Sequence, residues 1–175
     1  STLSSSSAAS DVYKRQSLSN TDYLSNLSNR RYFFEHGSKL IATLRLGMPL
    51  SVMMIDIDNF KKINDGFGHD VGDLVIKNIA KLLKKHFPND VVARIGGEEF
   101  AIISKSPEDV KNLNRIDAFR QAVEDEKIHI NKRILQYTCS IGVCSVVGED
   151  LDEMLMQADR SLYRAKQSGK NQVCR

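Results

Sequence analysis

The segment Leu50-Ser-Val-Met-Met-Ile55, followed at once by Asp56-Ile57-Asp58, constrains the fold of this chain most. Such an apolar run reads as a buried central strand, so the sheet that holds it needs a packed layer on either side. The run also delivers a carboxylate, Asp56, to the C-terminal end of that strand. A second constraint is Arg94-Ile-Gly-Gly-Glu-Glu-Phe100, set between the apolar runs Val91-Val-Ala93 and Phe100-Ala-Ile-Ile103. Two β-compatible runs joined through paired glycines predict a hairpin, with Gly96 and Gly97 supplying positive φ angles and Glu98 and Glu99 at the tip. Adjacent carboxylates repel, and the pair has two readings: a solvated acidic turn, or a place that binds a cation or accepts a proton.

Helical spacing surrounds these strands. A first helix is expected over residues 29–45, with Phe33, Leu40, Ile41 and Leu44 inward and Gly47 and Pro49 ending it. A short helical turn over 59–64 and a loop at Gly66 and Gly68 lead to a second helix over 70–86, whose Val71, Leu74, Val75, Ile79, Leu82 and Leu83 share one face. Beyond the hairpin come a helix over 107–125 and one long strand over 133–146, paired with 128–130. The last helix, 151–168, buries Leu151, Met154, Leu155, Ala158, Leu162 and Ala165 and stops at Gly169. The order predicts an α+β domain, a single central mixed β-sheet flanked by helices. Residues 1–20 are Ser-rich and aperiodic, a disordered tail, linker or remnant, which leaves 21–175 as the domain.

A chain of 175 residues can bury a full core without disulfides or a structural metal. Cys139, Cys144 and Cys174 form no C-x-x-C pair, which suits a reducing compartment. No apolar run reaches the roughly 18 residues of a membrane span and no leader pattern opens the chain, so a cytoplasmic location without membrane contact is expected. The net charge of +3 is too slight to argue for nucleic acid, and Lys77, Lys81, Lys84 and Lys85 read as the wet face of a helix.

Asp56 and Asp58 are two apart on a strand and so share a face, with Ile57 packing oppositely and its carbonyl available. Asp58 is expected to cap the turn that starts at Asn59. Asp56 has no such local role. An aspartate after a buried run, with a Glu-Glu hairpin elsewhere, makes an oxygen-rich cluster suited to magnesium and phosphates. A P-loop and a dinucleotide fingerprint are both absent, so a nucleotide would be held by carboxylates, metal and outlying lysines, as in polymerases.

Asp56-Ile-Asp-Asn-Phe-Lys-Lys-Ile-Asn-Asp-Gly-Phe-Gly-His-Asp-Val-Gly-Asp73, together with Arg94-Ile-Gly-Gly-Glu-Glu-Phe100, closely resembles the GGDEF family of bacterial diguanylate cyclases. Asn29-Arg-Arg31, Ser140-Ile-Gly-Val143, Ala158-Asp159, Leu162-Tyr163, Ala165-Lys166 and Gly169-Lys-Asn171 match in the family's order, over about residues 22–173. The resemblance implies a palm-like, ferredoxin-like nucleotidyl-cyclase fold that condenses two GTP into cyclic di-GMP across a homodimer of half-sites, using Mg2+ or Mn2+. It implies that Asp56, the Ile57 carbonyl and Glu98 are metal ligands, that Glu98 is also the base for the ribose 3′-hydroxyl, and that Glu99 takes a second metal. Asn64 and Asp73 would read guanine, since a carboxylate accepts from its N1 and N2. Lys61, Lys166 and Lys170 would contact phosphates, Asn59 and His69 would lie along the substrate, and Gly96 and Gly97 would leave it room.

Local alternatives stand beside several of these roles. Asp73 also suits the first turn of a helix, Asn64 and His69 suit turns, and Lys166 and Lys170 suit a helix C-terminus. Lys170 replaces the Arg usual in the family, giving up a bidentate fork for a point charge. The Arg-x-x-Asp product-binding motif of many active members is Phe87-Pro-Asn-Asp90 here, without a guanidinium. Two rival functions are a degenerate domain that binds GTP or cyclic di-GMP without turnover and a purely structural dimerisation module, and an N-terminal sensor domain is expected in a longer parent chain.

Overall fold

The computed structural model describes residues 19–43, 50–106, 110–145 and 150–175. Expectations for residues 1–18 and for Leu44, Gly47, Pro49, Pro107 and Val146 lie outside the described residues. In chain order the elements are α1 (Arg30–Thr43), β1 (Ser51–Ile57), α2 (Phe60–Phe67), α3 (His69–His86), β2 (Val91–Arg94), β3 (Glu99–Ser104), α4 (Val110–Asp125), β4 (Ile128–Ile130), β5 (Arg133–Leu135), β6 (Cys139–Cys144), α5 (Leu151–Gln167) and β7 (Val173–Cys174). The main sheet runs β2-β3-β1-β6-β7, with β1 in the middle. All neighbours pair antiparallel except β6 and β7, which makes the sheet mixed.

Period-two alternation divides β1 between two cores. Met53, Ile55 and Ile57 join Val75, Ile79 and Leu83 of α3 and Ile116 and Phe119 of α4, whereas Val52 and Met54 join Phe33 of α1 and Met154, Leu155 and Leu162 of α5. Helices thus cover both faces of one sheet, and each fully buried Ile, Met or Phe contributes roughly 1.5–3 kcal/mol. Asp56 and Asp58 continue the Val52/Met54 side, which directs them toward α5. That helix lies very close to β6: a Cβ on Gly142 would fall 2.0 Å from the Ala158 carbonyl oxygen and 2.3 Å from the Leu162 nitrogen. Gly169 follows the helix with φ 115°, the left-handed angle that ends it.

Three expectations need correction. The long strand over 133–146 is two strands, because β5 pairs with β4 in a separate ribbon while β6 joins β1. Between them Tyr137 is buried, its hydroxyl donates to Asn78, and the Thr138 carbonyl accepts from the Asp58 N–H at 2.9 Å. Alternating burial of Leu135, Tyr137 and Cys139 persists through the crossing, so the residues look like one strand although the pairing partner changes. Gly66 belongs to α2, and Gly68 alone, at φ 93°, separates α2 from α3. Leu74 is 45% exposed, off an inward arc that includes Ile76 and Ala80 instead.

Candidate functional site

The end of β1 carries two aspartates that meet one lysine. Lys166, from the last turn of α5, donates to Asp56 Oδ1 and to Asp58 Oδ1 at 2.7 Å each. Asp58 is not a cap: Asn59 takes the left-handed conformation at φ 55° before α2, and no side chain there caps the helix. The Asp58 carboxylate is instead almost wholly buried, and a buried charge persists only when compensated. It accepts from Thr138 Oγ1 at 2.7 Å, Ser140 Oγ at 2.7 Å and the Asn171 N–H at 3.0 Å besides Lys166. Burial pushes its pKa up, but the bonds from Lys166, Ser140 and Thr138 outweigh that and hold it below the ordinary value. At Asp56 burial wins over Lys166, with the Asp58 charge adding to it, and the carboxyl is pushed up. The ammonium, between two carboxylates, is held above the usual lysine value against the effect of its burial.

The signature hairpin lies beside this group. Asp56 stands opposite Glu99 in the β1–β3 register, and the Glu98 carbonyl accepts from the Ile57 N–H at 3.2 Å. Burial and then the Asp56 charge push up the pKa of both Glu98 and Glu99, which also repel each other at Glu98. Lys166 pulls Glu98 down and Arg30 pulls Glu99 down, without reversing either shift. The cluster carries more negative charge than its surroundings neutralise, the condition in which a proton or cation is taken up. Among the described residues no three His, Cys, Asp or Glu side chains converge into a ready-made metal cage. The donor set is nonetheless all oxygen, the kind that Mg2+ takes through one or two carboxylates plus phosphates and water.

Of the two glycines in the turn, Gly96 is needed for space, not for torsion. Neither has a positive φ, which corrects the expectation for the turn. A Cβ on Gly96 would stand 2.4 Å from Glu99 Oε2, whereas one on Gly97 would meet nothing within 4 Å. The turn is clamped from behind: Arg94 donates Nε and Nη2 to the Gly97 carbonyl at 3.1 and 2.8 Å, and Nη1 pairs with Asp22 Oδ2 at 3.2 Å. Sequence reasoning missed Asp22. Its signal was the Asx-type turn at Asp22-Tyr-Leu-Ser25, in which the Ser25 N–H donates to Asp22 Oδ2 at 2.8 Å.

The remaining expected residues fall in two places. Asn59 and Lys170 meet, Nζ to Oδ1 at 2.7 Å, at the mouth beside Asp58. Asn64 lies against α3 so closely that a Cβ on Gly72 would be 2.0 Å from its Oδ1. That oxygen is buried without a hydrogen-bond partner, an uncompensated polar atom next to the helix turn that carries exposed Asp73. Lys61 and His69 are exposed, and no hydrogen bond ties either to the carboxylates.

At the far end of α3, Phe87 is buried edge-on to Phe119, ring centres 5.6 Å apart. The Arg115 guanidinium lies 4.8 Å over the Phe87 ring and pairs with Asp90 at 2.9 Å. Its Nη2 also donates to Ser104 Oγ at 3.1 Å and Asn112 Oδ1 at 2.8 Å. A guanidinium therefore does reach this turn, from α4, but its donors are engaged inside the domain.

Residues 19–172 match the family model described as diguanylate cyclase, GGDEF domain. Diguanylate cyclase A of Treponema denticola is 35% identical over 163 residues, covering 89% of this chain and 44% of that protein. Response regulator PleD of Caulobacter vibrioides is 40% identical over 159 residues, covering 87% of this chain and 35% of that protein. The chain thus spans less than half the length of either. The crystal structure of the GGDEF domain of DgcB from Caulobacter crescentus in complex with c-di-GMP is similar with a TM-score of 0.83 at 31% identity, over 89% of this chain and 92% of that one. The active GGEEF domain of a diguanylate cyclase from Vibrio cholerae gives 0.78 at 34% identity, over 85% and 96%. A mixed sheet between helix layers, with acids at the end of β1 and the start of β3, defines the nucleotidyl-cyclase class of fold. Within that class, the chain belongs to the diguanylate cyclase GGDEF-domain family.

Proposed function

We propose that this domain condenses two GTP molecules into cyclic di-GMP, releasing two pyrophosphates. The observation that carries the reading is the group of Asp56, Glu98 and Glu99 at a strand end, whose carboxyls are all pushed up by burial first and then by neighbouring acids, Asp58 and Asp159 at Asp56, and Asp56 at both glutamates. Asp56, the Ile57 carbonyl and Glu98 would hold Mg2+ or Mn2+, with Glu99 available to a second ion. When bound, the metal supplies charge neutralisation for the triphosphate and acidifies the ribose 3′-hydroxyl.

The chain's own groups do the rest. Glu98, with its raised proton affinity, accepts the 3′-hydroxyl proton. Lys166, Lys170 and Lys61 oppose phosphate charge, and Lys166 exchanges its aspartate partners for phosphate oxygens as substrate enters. Asn64 and Asp73 take the guanine, which supplies donors for the uncompensated Asn64 Oδ1 and for the Asp73 carboxylate. One domain holds one GTP, so two copies face each other and each 3′-hydroxyl attacks the partner's α-phosphate in line. Incubation with GTP and Mg2+, with the product identified by mass, tests this: cyclic di-GMP is expected at a specific activity that rises with protein concentration in dilute solution. GTP that stays intact supports the non-turnover reading instead.

A further inference from the structure

Gly169, Lys170 and Asn171 take three successive positive φ angles, 115°, 64° and 46°. Glycine accepts such an angle freely, asparagine with little strain and lysine with more, so the turn depends on outside support. The Lys170 N–H donates to the Ala165 carbonyl at 2.9 Å and the Asn171 N–H to Asp58 Oδ2 at 3.0 Å. The Asn171 side chain is gripped from a different element: Arg120 of α4 donates Nη1 to its Oδ1 at 2.8 Å. That guanidinium is 12% exposed and is itself aimed by Asp117, 2.6 Å from Nε, and by Glu124, 2.9 Å from Nη1. Arg120 and Asn171 line a cleft of about 500 Å³ with Leu113 and Gln172, to which Asp56, Glu98 and Glu99 contribute nothing.

We infer that Arg120 is a positioning residue: through Asn171 it holds the left-handed turn that presents Lys170 at the mouth of the site and completes the hydrogen bonds of Asp58. The role of Lys170 toward phosphate rests on the cyclase reading; the support of the turn does not. Cutting the Arg120–Asn171 bond lets Asn171 leave the left-handed region, withdraws an N–H from Asp58 and releases Lys170 from its direction. The loss falls on phosphate binding, while Glu98 and Asp56 keep their places.

The experiment uses the whole chain with Arg120→Ala, Arg120→Lys, Lys170→Ala and the Ala/Ala double variant. Steady-state kinetics with GTP are expected to show KM raised about tenfold in Arg120→Ala, the scale of one charge-assisted hydrogen bond, with kcat changed far less. Arg120→Lys restores part of the loss, and the double variant loses less than the product of the two single effects. Independent, multiplying KM effects overturn the inference. A second readout needs no turnover: amide exchange by NMR is expected to speed up at Asn171 in Arg120→Ala while the buried α4 amide of Phe119 keeps its protection. Unchanged exchange at Asn171 overturns the inference. Should the wild-type chain leave GTP untouched, the cyclase reading fails and the exchange result alone decides. Asn171→Gly, which keeps the left-handed angle and removes only the gripped amide, replaces Arg120→Ala if that variant does not fold.

Discussion

Two acid-bearing turns, 95–98 beside Asp56 and 87–90 beside Phe119, are completed in opposite ways. At the second, the Arg115 guanidinium stands 2.9 Å from Asp90 and is covered by Phe87, so the acid's charge is countered within the domain although Asp90 Oδ2 lacks a well-directed hydrogen bond. At the first, Glu98 and Glu99 are raised by burial and by Asp56, and Lys166 does not offset this. Settled electrostatics hold a turn in place, and unsettled electrostatics wait for something from solution. The two turns share an acidic character and differ in what their neighbours leave undone.

Breaking the settled turn has the largest expected effect. Phe87→Ala removes a fully buried ring and its contacts with Phe119 and Arg115, and costs about 3–5 kcal/mol in urea unfolding. A cost under about 1 kcal/mol would mean that the turn is not part of the core. At the unsettled turn the same measurement barely moves. Glu98→Gln keeps shape and removes the charge, so cyclic di-GMP formation is expected to fall at least about 100-fold while the folded state survives. Near-normal turnover would sink the role given to Glu98.

Titrating cyclic di-GMP by calorimetry sharpens the contrast further. Because Phe87 supplies no fork and Arg115 is already engaged, binding outside the active site is expected to be about ten- to a hundredfold weaker than an arginine fork gives. Submicromolar affinity there would show that Arg115 swings free of Asp90.

The smallest effect concerns Asp22, behind the signature turn. Burial pushes its pKa up, but bonds from Ser25 and the charge of Arg94 bring it below its ordinary 3.8. A depressed carboxylate contributes stability above its unfolded value and loses it as pH falls through the folded one. Asp22→Asn is therefore expected to melt at a lower temperature at pH 7, with the gap to wild type closing below about pH 4. A gap independent of pH would remove Arg94–Asp22 as the cause.

What the sequence disclosed followed from short-range rules. Alternation placed Asp56 and Asp58 on one face of β1, and helical spacing with a terminal glycine located α5 and hence Lys166. The failures came where a distant partner overruled a local preference. Asp58 looked like a cap because capping is local, whereas Thr138, Ser140, Lys166 and Asn171 reach it from eighty or more residues away. The crossing at 136–138 kept strand-like burial while changing sheets, which no propensity registers. Nothing local marks Arg115 or Arg120, whose partners Phe87 and Asn171 are brought to them only by the fold.

Gly142 has a further consequence for spacing. Lys166 lies one helical turn beyond Leu162, about 6 Å along the axis of α5. The Leu162 backbone rests where a side chain on Gly142 would be. The reach of the ammonium toward Asp56 is thus gauged by the absence of one methyl group on a strand residue packed against the helix backbone. Adding that methyl leaves every polar group of the site present and wedges the helix outward, so the machinery would be complete in composition and wrong in dimension.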